Sequence, residues 1–359
     1  MNNDFLIIGG GIAGISAAAR LSFLGRVALL EGEDHLAHHA SGRSAALFEP
    51  FYGLPPIVAF SHASDDYLRT AHGGVLSPRG LMIVGGAQDH EVFRRDLQVM
   101  DLTEISVAEG REHMPILNPD TVALAGWADH AWDIDTDLLI QNFLREARGN
   151  GAKVVTGARV TGLEKSGGGW RAKTAGGDVE GRILINAAGA WVDEIAQMAG
   201  IAPLGFTPMR RSMARIPAPG GHDVSRWPTV FGADESWYCK PDAGALIVSP
   251  AEEHPMAPHD AWADDMVLAE GLARYEEKVT EPVTRLLASW AGLRTFAPDR
   301  VPVIGPAPAD PSFFWLAGQG GYGFQSAPAI SQLVADLLDG RTPAMDAATL
   351  AAVSSRRFS

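Results

Sequence analysis

The run from Asp4 to Ala19 limits the possible folds of this 359-residue chain more than any other stretch. Phe5 to Ile8 is an apolar run of the length of a buried strand. Gly9, Gly11 and Gly14 follow with G-x-G-x-x-G spacing, and an alanine-rich helical stretch continues to Leu24. In such a unit the first glycine lets the chain turn tightly off the strand. The second lets the backbone approach a pyrophosphate, and the third lets the helix pack against the strand. The helix start, at Ile12 and Ala13, offers free N–H groups and a positive dipole end to phosphate. A second apolar run, Arg26 to Leu30, ends at Glu31. This acid lies about twenty residues past Gly11, where a ribose-binding carboxylate belongs. Its charge would repel a 2′-phosphate, which disfavours NADP. The glycines alone are compatible with an ordinary turn. Strand, helix, second strand and acid together predict a dinucleotide site, without separating FAD from NAD.

The residues after Glu31 bear on that choice. Ser41-Gly42-Arg43-Ser44 is a polar turn where a plain strand–helix repeat would be expected for NAD. It suits an extended FAD whose second half doubles back, with Ser41, Arg43 and Ser44 near the pyrophosphate and flavin. The other reading is a loop ending in a helix cap at Ser41 or Ser44. His35, His38 and His39 have no carboxylate at ligand spacing, so a solvated loop and no metal are expected.

Composition narrows the class. Apolar residues make up 46% and charged residues 20%, as in an ordinary globular protein. No apolar run approaches membrane-spanning length. The chain opens directly into its first strand, so no cleaved signal and a cytoplasmic location are expected. One cysteine, Cys239, excludes an internal disulfide and any multi-cysteine metal site. A net charge of −14 with no basic cluster argues against nucleic acid and anionic membrane surfaces.

Further along, the pattern predicts a helix around 57–71, a strand over 75–84 and helix over 87–114 with a break at Met114-Pro115. Asp135 should cap a helix over 138–148. A strand at 153–156 and a hairpin, 160–165 with 170–174, follow. Arg182 to Asn186 reads as a buried strand running into the small-residue turn Ala187 to Ala190, then a helix at 192–198. Strand-like runs fill 203–293, interrupted by a helix over 263–287. A strand at 313–317, the loop Gly318-Gln319-Gly320-Gly321-Tyr322-Gly323 and a helix to Leu338 repeat the opening logic.

Taken in order, the glycine motif with Glu31, Ser41 to Ser44, Asn186 to Trp191 and Gly318 to Gly323 resemble the D-amino-acid oxidase/glycine oxidase/sarcosine oxidase (DAO) superfamily of flavoenzymes. Arg210-Arg211-Ser212, Asp234 to Tyr238, Lys240 to Gly244 and Trp290 to Arg294 resemble, within it, bacterial FAD-dependent D-amino-acid dehydrogenases of the D-arginine dehydrogenase kind. The likeness covers nearly the whole chain. It implies an α/β fold: a glutathione-reductase-type FAD-binding Rossmann domain over 1–70, 136–203 and 295–359. A second, mixed-sheet α+β substrate domain would cover 71–135 and 204–294. It implies non-covalent FAD, with Ala188, Gly189 and Trp191 beside it and Gly320, Gly321, Tyr322 and Gly323 along the flavin.

The implied reaction oxidises a D-amino acid at the carbon bearing the carboxylate. Hydride passes to flavin N5, and the imine hydrolyses to a 2-oxo acid and ammonia. The resemblance makes Arg294 the carboxylate-binding arginine, with Tyr238 donating to the same group. It makes Arg211 a second site arginine, Gln325 a residue lining the site and Tyr52 a tyrosine over the pocket on a lid-like segment. Arg210 should point to the opposite strand face. No catalytic base is assigned, since the amine need only lose its proton before hydride transfer.

Departures bear on substrate. Leu81 stands where arginine-oxidising relatives carry an acid, and Leu47 and Glu49 where they carry histidine and threonine. Leu47, Phe48, Phe51 and Leu81 suggest an apolar pocket. Glu49 is expected to face solvent on the Pro50 turn; the alternative is that it faces the pocket and recruits a cationic amine. A neutral or apolar D-amino acid is the expected substrate, with oxygen or a quinone as unidentified electron acceptor. Competing readings are a glycine, sarcosine or other N-alkyl amino acid oxidase, a non-catalytic flavin-binding protein, and an NAD-dependent dehydrogenase.

Overall fold

Buried strand sequences with helices between them give a sheet of largely parallel strands at the start of the fold. The computed structural model describes residues 2–358, so the outermost residues of the expected ranges, Met1 and Ser359, lie outside it. Strand Asn3–Ile8 lies centrally, parallel to Val27–Leu30 on one side and to Val179–Asn186 on the other. Lys153–Val155 extends one edge in parallel, and Asp310–Ala317 joins Val179–Asn186 in parallel on the far side. The hairpin Gly162–Ser166 with Gly169–Lys173 adds antiparallel strands, as does Val303–Ala307 against Asp310–Ala317. Both sheet faces are buried, which is why these strands read as continuous apolar runs. Helices Ile12–Leu21, Thr136–Gly149 and Gly323–Asp339 share one core with them.

A second, nine-stranded mixed sheet draws its strands from 81–128 and 207–296. Its longest ladder pairs Thr207–Pro217 antiparallel with Ala288–Phe296. A small sheet of Leu47–Phe48, Trp132–Ile134 and Leu76–Pro78 lies apart from both. Among the described residues no helix is long and apolar enough to cross a membrane.

Several expectations are corrected. The strand over 75–84 is two strands, Leu76–Pro78 and Leu81–Gly85, because Gly80 turns the chain at φ +78°. The helix over 87–114 is split into His90–Val99 and Val107–His113 by strand Thr103–Ile105, which pairs with Leu124–Ala128. The helix over 263–287 covers only Asp265–Glu277. The exposed Leu286 and Leu287 give no buried stripe to extend it. Asp135 caps its helix as expected, accepting from Leu138 N.

The glycine motif is held by contact, not composition. Gly9 sits at φ +110°, and a Cβ there would meet the Ala187 carbonyl at 2.3 Å. A Cβ on Gly14 would lie 2.0 Å from the Gly9 carbonyl oxygen. A Gly14→Ala variant must therefore push the helix off its strand, at a cost of about 1–3 kcal/mol. It is expected to lower the melting temperature and to purify with little or no flavin. Full flavin content with unchanged melting would contradict this close packing of helix on strand.

Candidate active site

One cleft of about 450 Å³ runs between the two large sheets. At one end it is lined by Gly9, Gly11, Ile12 and Ala13, with Glu31 and Val160 beside them. Glu31 is already held in place: Oε2 accepts from Gly10 N at 2.7 Å and Oε1 from Glu33 N at 2.9 Å. Ser41 Oγ accepts from Ile12 N at 3.0 Å, at the start of the helix. A Cβ on Gly11 would meet only that Oγ, at 3.1 Å, so the cradle is open above the helix N-terminus. Glycine backbone, helix dipole and a carboxylate at this spacing fit a dinucleotide pyrophosphate and ribose.

Of the other residues expected at a cofactor, Ser44, Ala188, Gly189 and Trp191 line the cleft, as do Gly320, Gly321 and Gly323. Gly14 and Tyr322 do not; Gly14 packs the helix, and the Tyr322 ring turns to Tyr52 at 5.1 Å. Arg43 lines the cleft, but its guanidinium is committed across it. It donates to the carbonyls of His38, Ala261 and Ala291 and pairs with Asp260. His35 is exposed as expected, but His38 and His39 are not merely solvated, which corrects the sequence reading for those two. His39 Nε2 lies 3.1 Å from Glu33 and His38 Nε2 3.6 Å from Asp260. Glu33 and His38 also group with His39 closely enough to suggest a metal. Beside these histidines Arg159 pairs with Glu33 and Arg43 with Asp260.

At the far end the ladder of Thr207–Pro217 and Ala288–Phe296 supplies the charge. Arg211 lies opposite Gly292 and Arg294 opposite Met209, which places both arginines on one face as diagonal neighbours. Arg210 faces the other way, towards Glu252, His254 and Asp264. Arg211 is paired: Nη1 lies 2.9 Å from Glu235 and Nη2 3.4 Å from Glu253. Arg294 has no carboxylate partner among the described residues. Burial acts against its charge, yet the phenolic oxygens of Tyr52 and Tyr238 and the Glu235 carboxylate raise its pKa above that of an ordinary arginine. Gly321 makes room for it; a Cβ there would lie 2.9 Å from the guanidinium carbon.

Glu235 is the residue that sequence reasoning missed, although it lies within the Asp234 to Tyr238 stretch. Oε1 accepts from the Tyr52 hydroxyl at 2.7 Å as well as from Arg211. Burial opposes its charge, and Arg211, Arg294 and the Tyr52 hydrogen bond outweigh it, so the carboxyl stays below its usual range. Burial, then Glu235, pushes the Tyr52 phenol well up, so it remains a donor. No spacing in the sequence reveals what turns Glu235 inward: Asp234 and Glu235 are both left-handed, at φ +60° and +50°. Tyr238 donates to Met213 Sδ at 3.1 Å, a weak acceptor that a carboxylate would displace.

The expected apolar wall is rearranged. Leu47 lines the cleft with Met213, Phe231 and Leu293. Leu81 does not line it; it is fully buried on the same face of the second sheet, one strand beyond Phe231, in one cluster with Phe231 and Tyr238. Phe48 is in the core of the first sheet, and Phe51 packs on His62 and His130. Glu49 does not face solvent. It is 1% exposed, with Oε1 accepting from Phe51 N and lying 3.1 Å from His130. Gln325 works as a brace: Oε1 accepts from Glu49 N, and Nε2 donates to the Tyr52 carbonyl and Ser61 Oγ. Lys240 is a second brace that the sequence did not reveal. It donates to the carbonyls of Ala45 and Ala46 and pairs with Asp133 at 2.9 Å.

Comparison with known proteins accords with this geometry. Residues 4–337 match the family described as FAD dependent oxidoreductase (DAO). The glycine oxidase of Pseudomonas putida is 23% identical, over 98% of this chain and 98% of that one. The crystal structure of glycine oxidase from Geobacillus kaustophilus superimposes with a TM-score of 0.82 at 22% identity, covering 96% of each chain. L-α-glycerophosphate oxidase from Mycoplasma pneumoniae, with FAD bound, gives 0.83 at 20% identity, covering 94% of each. With residues 4–337 matched, and a glycine cradle joined by one cleft to two arginines on the second sheet, the chain belongs to the DAO family of FAD-dependent oxidoreductases.

Proposed function

We propose that the protein oxidatively deaminates a D-amino acid with a neutral, apolar side chain. The observation that carries this reading is the guanidinium of Arg294, buried in the cleft with no carboxylate of its own. A fixed, desolvated guanidinium is matched to a substrate carboxylate, which it grips through two parallel hydrogen bonds. In this reading the first sheet and its helices form the FAD-binding domain (1–70, 136–203, 295–359), and the second forms the substrate domain (71–135, 204–294). FAD, when bound, supplies the hydride acceptor that turns the amino acid into an imino acid, which water hydrolyses to a 2-oxo acid and ammonia.

The chain's own residues do the placing. Arg294 fixes the carboxylate, and the Tyr238 hydroxyl exchanges Met213 for it. Tyr52, held by Glu235 and braced by Gln325, covers the site and excludes water. Leu47, Met213, Phe231 and Leu293 offer an apolar wall to the side chain. Glu235 is already spent on Arg211 and Tyr52, which supports a neutral substrate over a cationic one. The D configuration rests on the resemblance carried by Arg211, Tyr238 and Arg294. The glycine oxidase relatives favour a second reading, in which glycine or an N-alkyl glycine is the substrate.

The test is anaerobic mixing of the FAD-loaded protein with D- and L-amino acids, glycine and sarcosine, following flavin absorbance. Bleaching by D-leucine, D-phenylalanine or D-methionine and not by their L-enantiomers is the expected result. Preference for D-arginine would overturn the apolar pocket, and faster bleaching by sarcosine or glycine would select the second reading. Arg294→Met is expected to lower kcat/KM by roughly 10²–10⁴-fold, the loss of two charge-assisted hydrogen bonds. Less than a threefold loss would remove Arg294 from the carboxylate site. Glu235→Gln leaves Arg211 only its longer contact with Glu253, so turnover of D-glutamate relative to D-leucine should rise by about tenfold or more. An unchanged ratio would show that Arg211 does not reach the substrate.

A further inference from the structure

The segment 47–53 is fastened at three points, and one of them runs from Glu49, which lines the cleft, to His130, which does not. Gln325 grips its backbone at Glu49 N and at the Tyr52 carbonyl, both at 3.3 Å. The Tyr52 hydroxyl reaches Glu235. The third fastening is the Glu49 side chain. Its Oε1 accepts from Phe51 N at 3.1 Å and lies 3.1 Å from His130 Nε2, while its Oε2 is buried with no hydrogen-bond partner. His130 sits on the turn between Leu124–Ala128 and Trp132–Ile134, and its side chain keeps 24% exposure. One imidazole thus joins a buried carboxylate to the surface.

A buried carboxylate with an unsatisfied oxygen is costly unless a cation faces it. We propose that His130 is a positioning residue for the active site. Its imidazolium neutralises Glu49 and so fixes the turn that presents Tyr52 to the cleft; without that proton the turn loosens. The charged groups around His130 all favour the proton. Glu49 faces it from the 47–53 segment, Asp129 from its own turn and Asp101 from the turn after helix His90–Val99. The Phe51 ring packs on it at 5.0 Å, with His62 of helix Pro55–Thr70 on the far side of that ring. Burial works against the imidazolium, but Glu49, Asp101 and Asp129 raise its pKa above the ordinary histidine value. The sign follows from linkage. The stabilisation is complete below about pH 6.5, the unfolded value, and is lost as pH rises through the raised one. Each unit of that rise is worth about a factor of ten in the closed-to-open ratio of the turn.

Amide hydrogen exchange on the FAD-loaded chain tests this without a substrate. The amides of Glu49, Phe51 and Tyr52, all hydrogen-bonded within this fastening, are the reporters. Those of helix Val192–Met198 are the reference. After correction for intrinsic rates, reporter protection is expected to fall about tenfold per unit of pKa rise as the pH crosses that of His130. His130→Gln should lose the step and show low protection throughout. Glu49→Gln, which removes the buried charge, should lose the step and keep high protection. A flat wild-type profile, a step that survives in His130→Gln, or a step shared by the reference helix would overturn the proposal. A second arm rests on the function proposed above: KM of the best substrate should rise over the same pH range in the wild type and not in Glu49→Gln. An exchange step with no KM step would overturn the link to the active site. Failure of every substrate in the panel would count against the proposed function, while the exchange arm still decides the role of His130.

Discussion

Two arginines on one face of one β-ladder are the arrangement on which the site depends. The register that sets Arg211 opposite Gly292 and Arg294 opposite Met209 makes them diagonal neighbours, and like charges so placed repel. The protein answers for only one of them. Glu235 is turned into the cleft by two consecutive left-handed residues, a strained backbone held from outside by Arg95 on the Asp234 carboxylate and by Asp96 on the Asp234 amide. Glu235 then takes both Arg211 and the Tyr52 hydroxyl. Arg294 is left with no carboxylate in contact among the described residues, its charge favoured from further off by the phenolic oxygens of Tyr52 and Tyr238 and by Glu235, which leaves it open to an anion from solution.

The same cleft depends on braces that cross it. The Arg43 guanidinium ties the turn after Glu31 to Asp260 and to the carbonyls of Ala261 and Ala291. Lys240 ties Ala45 and Ala46 to the second sheet while sharing Asp133 with Arg79. Burial lowers the Lys240 pKa and Asp133 opposes that, so a buried cation here is held by its acid. Gln325, on the first turn of helix Gly323–Asp339, holds the segment carrying Tyr52. The three braces belong to separate stretches of chain, and together they fix the wall between the cradle for the nucleotide and the paired arginines.

What the sequence disclosed follows from how local each signal is. The glycine cradle and Glu31 were readable because strand, turn, helix and acid are contiguous and each residue's role is a steric one; the contacts of Gly9 and Gly14 bear this out. The arginines on opposite strand faces, Arg210 and Arg211, were readable from the period of two. Glu235, Lys240 and the His130–Glu49 pair were not, because each reaches a partner more than eighty residues away, through a register or a turn that no spacing encodes. Glu49 was misplaced for a related reason. The Pro50 turn suggested exposure, but its backbone folds under Gln325 and its side chain finds His130. Leu81 was placed at the pocket wall by resemblance, whereas the strand Leu81–Gly85 lies beside strand Thr229–Gly232 in the same sheet, one strand further from the cleft.

That Arg294, with no carboxylate in contact, selects a substrate carboxylate is tested most directly by titrating the FAD-loaded protein with a non-oxidisable aromatic carboxylate such as benzoate, and with benzamide, its neutral counterpart of the same shape. Perturbation of the flavin absorbance gives the affinity of each. Benzoate is expected to bind and perturb the spectrum, and benzamide to do so at least about a hundredfold more weakly; Arg294→Met should abolish the difference. Equal binding of acid and amide, or a preference for benzoate that survives in Arg294→Met, would contradict that role for Arg294.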